Sequence, residues 1–213
     1  MRCLTPLDKQ STNAIILIIQ LIQRIGLSTL LIMAYFLKLK AWELFLMVVL
    51  PLILTYMLRF EYTATLIGSL VFFVVIVVFS WLFSIGRWAN QHLPQDRQKN
   101  LFPLALGFAI PLIYILLLIL VYLPTLSPES RPQPPGWMLP MHILSMIGIF
   151  YSIWFSARQY FALQREREVD TTRFSNIFFL MWVFPLGIWI IQPGVNRLFD
   201  KLDNSNIISR DGG

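Results

Sequence analysis

Four apolar runs, each bounded by charged or proline-rich breaks, dominate the chain: residues 41–58, 62–86, 101–123 and 137–157. A helix of about 20 apolar residues matches the hydrocarbon thickness of a bilayer. With two further apolar segments, 14–37 and 174–191, these runs leave no stretch for a soluble domain. The chain therefore reads as an all-α, polytopic helical membrane protein forming one domain, 1–213. It comprises an N-terminal segment (1–40), a first transmembrane hairpin (41–100), a second hairpin with a charged extension (101–173) and a C-terminal apolar segment with a polar tail (174–213). Four spans are expected, and six if both end segments cross.

Composition agrees. Of 213 residues, 57% are hydrophobic and 13% charged, against about 25% charged in soluble domains. The net charge of +6 is not a nucleic-acid signal, because the basic residues sit in short loops and no free basic domain carries them. The single cysteine, Cys3, excludes an internal disulfide and a thiolate metal cluster. No apolar leader precedes it, so a lipoprotein cysteine is not expected.

The two end segments are the ambiguous ones. In 14–37, Gln20, Arg24 and Ser28 recur every four residues and form one polar stripe on a helix. A crossing would put Arg24 near the midplane, at a cost of at least about 2.5 kcal/mol unless paired. Arg24 is therefore either a buried cation awaiting an anionic partner or an interfacial residue of a segment lying along the membrane. In 174–191, Phe184-Pro185-Leu186-Gly187 breaks the run, and a re-entrant segment competes with a full span. The run is expected to end at Gln192-Pro193-Gly194, with a polar tail after it.

Between these ends, Trp42 reads as a headgroup-level anchor. Pro51 and Pro111 fall inside spans and are candidate kinks or hinges, as is Pro185. Residues 59–62 form a tight turn. The stretch 124–136 is too proline-rich for regular helix. Residues 158–173 are the most charged part and read as a helix leaving the membrane.

A weak internal echo links the hairpins. Pro-Leu-Ile occurs at 51–53 and 111–113, and 'WLFSIGR' ending at Arg87 parallels 'WFSAR' ending at Arg158. Such echoes are how membrane repeats often show. A parallel repeat would put Lys38, Lys40, Arg87, Arg97, Lys99, Arg158, Arg165, Arg167 and Arg173 on one side, against Arg59 and Arg131 at the tips. The positive-inside rule makes the first side cytoplasmic. That rule also prefers four spans with membrane-attached ends, whereas hydropathy prefers six.

Reactive chemistry is sparse. All eleven carboxylates fall at segment ends or in loops, whereas proton-coupled carriers usually keep an acid or histidine within the membrane. His92 and His142 are distant and lack clustered carboxylates, so no metal site is expected. No metalloprotease, phosphate-loop or dinucleotide motif is present, and no catalytic or cofactor-binding residue is assigned. His142, near a span start, reads as structural or interfacial. Gly86, Gly148 and Gly187 permit close helix contact.

The stretches 'WLFSIGRWANQHLP' and 'FFLMWVFPLGIWIIQPGVNRL' resemble a family of uncharacterised small multi-pass bacterial inner-membrane proteins, over residues 41–197. The resemblance implies an inner-membrane helical fold and carries no activity. The function expected is that of a non-enzymatic subunit or scaffold of a membrane complex. Its partners are the lipid bilayer and other membrane subunits, with no nucleic acid and no cofactor. The alternatives are a small transporter or permease component, and a lipid-modifying enzyme relying on His92 and Asp96.

Overall fold

Residues 31, 33–57, 64–125, 133–168 and 173–211 are described by the computed structural model, with the backbone alone at 64–65 and 203–211. Arg24, most of segment 14–37, the turn at 59–62 and Arg131 lie outside them. Regular structure among the described residues is helical, with no strand. Residues 33–38 are helical. There follow α1 (Ala41–Met57), α2 (Ala64–Gln91), α3 (Phe102–Leu117), α4 (Met138–Glu166), α5 (Phe174–Trp182) and α6 (Phe184–Asp211). Three stretches are long and apolar enough to cross a membrane: Leu66–Gln91, Phe102–Thr125 and Met138–Glu166. The apolar α1 is shorter, at 17 residues.

Local chemistry sets the boundaries. The Glu43 carboxylate accepts the Lys40 backbone N–H at 2.8 Å, the return half of a capping box that opens α1. Asn100 Oδ1 accepts the Phe102 N–H at 2.9 Å. Pro103 then occupies the first turn of α3, where its missing N–H costs nothing. At the far end of α3, Pro124 cannot donate. The helix widens into a π turn, Leu118–Tyr122, where the Leu123 N–H reaches back to the Leu118 carbonyl, and closes as a 3-10 turn, Leu123–Thr125. The helix containing 'WLFSIGR' extends past the end of its apolar run, to Gln91.

Contacts define the directions. Phe108 packs on Phe79 and Phe83, while Ile119 and Leu123 lie against Gly68, so α3 runs opposite to α2. Gly107 meets Gly148, and Tyr114 meets His142, so α4 runs opposite to α3. Phe174 packs on Phe161 and Trp182 stacks on Phe150 at 4.0 Å, so α5 descends along α4. Gln192 meets Trp81 and Phe199 meets Trp88, so α6 returns in the direction of α2. The chain 174–202 thus descends, breaks and folds back. One end of the bundle gathers the basic residues: Lys38 lies over Phe199 at 5.6 Å, and Arg97 bonds Glu166 at 2.8 Å.

Helix α4 shows what environment the bundle fits. Ser145, Ser152, Ser156 and Gln159 are buried on it beside Ile153, Phe155 and Leu163, while Ile143, Ile147, Phe150 and Trp154 are exposed. A helix in water keeps such an apolar stripe turned inward. In lipid, small residues let helices approach closely, and apolar side chains face out. The approach is close here. A methyl group placed on Gly148 would lie 2.8 Å from the Gly107 carbonyl oxygen, and one on Gly107 would lie 2.9 Å from that of Gly148. Gly86 rests on Ser156, whose hydroxyl donates to the Leu82 carbonyl at 3.0 Å. The two echoed stretches, 81–87 and 154–158, therefore touch each other, yet Trp81 is buried while Trp154 is exposed.

The expected stop at Gln192-Pro193-Gly194 is corrected: α6 continues through it to Asp211, so most of the polar tail is helical. Ile188, Ile191, Val195, Leu198 and Leu202 form a buried stripe at helical spacing. Burial of such a stripe outweighs one missing backbone hydrogen bond, and Pro193 sits on the exposed side.

The close seam predicts a graded response. Gly148→Leu or Gly107→Val should lower stability by at least about 1–3 kcal/mol through overpacking. Gly136→Ala, with open space around it, should be neutral. Ser152→Ala removes a buried hydroxyl that has no hydrogen-bond partner and should be neutral or stabilising by up to about 1 kcal/mol. Unfolding in mixed micelles, followed by helical circular dichroism, measures all four.

Candidate functional site

Three features could host function: a buried polar hub, the break between α5 and α6, and the basic end. The hub is centred on Gln192, which is fully buried. Its Oε1 accepts the indole N–H of Trp81 at 2.7 Å. Its Nε2 donates toward the carbonyls of Leu39 at 2.8 Å and Phe36 at 3.1 Å, and toward Asn196 Oδ1 at 2.9 Å, with the Leu37 carbonyl at 3.5 Å. An amide has two N–H groups, so these acceptors share them. Asn196 adds a second donor to Leu39 at 3.2 Å. The carbonyls belong to the C-terminal end of the helix at 33–38, where backbone acceptors have no intrahelical partner. Gln192 and Asn196 are one turn apart on α6 and cap that end from outside.

The break lies between α5 and α6. A proline ring at 185 would clash with the carbonyl of residue 181 in a continuous helix. The chain stops at Val183 and restarts, with Pro185 in the first turn of α6. A side chain at Gly187 would collide with the Leu180 carbonyl, so glycine is what lets α6 fold back on α5. With nine residues, α5 is about 14 Å long, roughly half the depth of a bilayer core. At the break an apolar cavity of about 230 Å³ is walled by residues including Val74, Val78, Ile153, Trp182 and Phe184.

Of the remaining candidates, Pro51, Pro111 and His142 are not brought to these features, while His92 and Asp96 lie on the loop at the basic end without being joined to each other. Pro51 and Pro111 are buried within helices that run on past them. His142 is exposed, its ring 5.9 Å from that of Tyr114 at the end opposite the basic one. His92 Nδ1 lies 2.9 Å from the Trp88 carbonyl. A carbonyl only accepts, so this nitrogen carries the proton. Asp96 is exposed on the loop, and no hydrogen bond joins it to His92 among the described residues. No cluster of metal-ligating side chains occurs among the described residues. Arg24 lies outside them.

Sequence reasoning passed over Gln192, Asn196 and Trp81 as site residues. The signal was present: Gln192 falls beside Ile188, Ile191 and Val195 on an apolar stripe, where a polar residue needs a partner. No family model, curated protein or solved structure matches the chain, so the site rests on its own residues.

The hub carries a direct test. Gln192→Leu should destabilise the protein by about 2–4 kcal/mol, because it orphans the Trp81 N–H and the Phe36 carbonyl. Trp81→Phe should cost about 1–2 kcal/mol, and the double variant less than the sum. Mixed-micelle unfolding of the three variants gives the coupling.

Proposed function

We propose that the chain is a multi-pass protein of the cell (inner) membrane, acting as a non-enzymatic subunit or scaffold of a membrane complex. In this reading α1 to α4 cross as two hairpins, and α5 with the start of α6 is a re-entrant segment. The basic end faces the cytoplasm. The saturation of the hub carries the proposal. Gln192 and Ser156 join helices through their hydrogen bonds, and Ser145 bonds the Met141 carbonyl of its own helix. These engaged groups offer nothing to a substrate. The outward faces are long apolar stripes, suited to lipid and to other membrane helices.

A small transporter component is the second reading, favoured by the break at mid-depth, since transporter sites often lie at discontinuous helices. The cavity there is lined by apolar side chains, which restricts any cargo to an apolar one. The lipid-modifying enzyme has less support, because His92 bonds its own helix.

Gentle extraction followed by native mass measurement separates these readings. The subunit reading expects an assembly containing a second polypeptide species or several copies; a lone monomer would sink it. His92→Ala combined with Asp96→Ala should leave any phenotype of a deletion strain fully complemented.

A further inference from the structure

We propose that the cleft between the α2–α3 loop and the last turns of α4 binds the phosphate headgroup of an anionic membrane lipid. The inference rests on the reading that the basic end lies at the membrane surface. The cleft encloses about 380 Å³ and is lined by Arg97, Arg158, Phe161, Ala162, Arg165 and Glu166. Arg158 and Arg165 are two turns apart on α4 and share a face. Arg97 arrives from the loop. Glu166 neutralises one of the three guanidinium groups, through the 2.8 Å contact with Arg97. The cleft therefore keeps an excess of positive charge, presented by side chains whose planar forks match phosphate oxygens.

The loop is set in place before any ligand arrives. Asn90 donates to the Lys99 carbonyl at 3.0 Å and accepts the Lys99 N–H at 2.8 Å, while Gln98 donates to the Leu93 carbonyl at 2.9 Å. Arg97 sits between these bonds. Fixing a binding group in advance reduces the entropy lost on binding.

A lipid, rather than a free phosphate or an acidic protein, is indicated by what lies below the charges. The Arg158 guanidinium stands over the Trp154 ring at 5.0 Å. Tryptophan prefers the headgroup level of a bilayer. From Arg158 the exposed face of α4 continues through Trp154, Tyr151 and Ile147 at helical spacing. A cationic cleft thus opens directly onto an apolar stripe aimed into the hydrocarbon. That arrangement fits a molecule with a phosphate at one end and acyl chains at the other.

The test uses the full chain, purified in a neutral detergent, stripped of lipid and titrated with phosphatidylglycerol or phosphatidylcholine while bound lipid is counted by native mass spectrometry. The expected result is at least tenfold tighter binding of phosphatidylglycerol, lost in Arg158→Gln plus Arg165→Gln. Arg197→Gln plus Lys201→Gln, which removes the same charge from α6 outside the cleft, should keep it. Trp154→Ala should weaken the lipid, and millimolar inorganic phosphate should not displace it. Equal affinity for the two lipids, or retention by the cleft variant, would overturn the proposal. Displacement by inorganic phosphate with no effect of Trp154→Ala would overturn it in favour of a free-phosphate site. Binding of an acidic polypeptide in place of lipid would overturn it too. If the double variant fails to keep its helical content, Arg165→Gln alone supplies the comparison. Recovery of the chain in the soluble fraction of cells would instead overturn the membrane reading beneath the proposal.

Discussion

At the basic end, the N-terminal helix, α2 and α6 are joined through one buried amide. Gln192 holds the Trp81 indole with one atom and the end of the helix at 33–38 with the other. Three separate parts of the chain meet there: the N-terminal helix, α2 and α6. In an apolar surrounding each of these polar groups would be costly alone. Together they satisfy one another, and the cost becomes a constraint on register. A slide of α6 by one residue would remove the amide from both partners at once. Together with the fold-back at Gly187 and the buried stripe that carries α6 past Pro193, that constraint brings Phe199 to Trp88 and Lys38.

The rest of the bundle is held largely by close approach, with few polar bonds such as that from Ser156 to the Leu82 carbonyl. Helix α2 contacts α1, α3 and α4. Its Gly86 and the Gly107–Gly148 seam bring backbones close enough for dispersion to act over many atoms. Helix packing in lipid has no hydrophobic drive to help it, because the tails are as apolar as the side chains. Small residues inside and large apolar residues outside are then the arrangement that gives tight contact.

Much of this was legible, for identifiable reasons. Apolar run length placed the helices, because a bilayer demands length and apolarity together. The break at Phe184-Pro185-Leu186-Gly187 was legible because proline chemistry is local. Gly86 and Gly148 were legible as close contacts, but their partners Ser156 and Gly107 were not, since pairing between helices has no local signature. The continuation past Pro193 was misread because two helix-breaking residues outweighed a stripe that included Val195, Leu198 and Leu202. Here tertiary burial decided against local propensity. Gln192 stood out on that stripe, but its partners Trp81, Phe36 and Leu39 lie more than a hundred residues away, and only the fold brings them together.

The central claim is that the chain after α4 enters and returns, so that α6 ends on the same side as the α2–α3 loop. Cys3 is the sole cysteine, and Cys3→Ser gives a background free of thiols. Single cysteines at Lys99 and Lys201 in that background can be reacted with a membrane-impermeant maleimide in intact cells and in inverted vesicles. The account predicts that both positions react in inverted vesicles and neither in intact cells. Reaction of the two positions from opposite sides would contradict it.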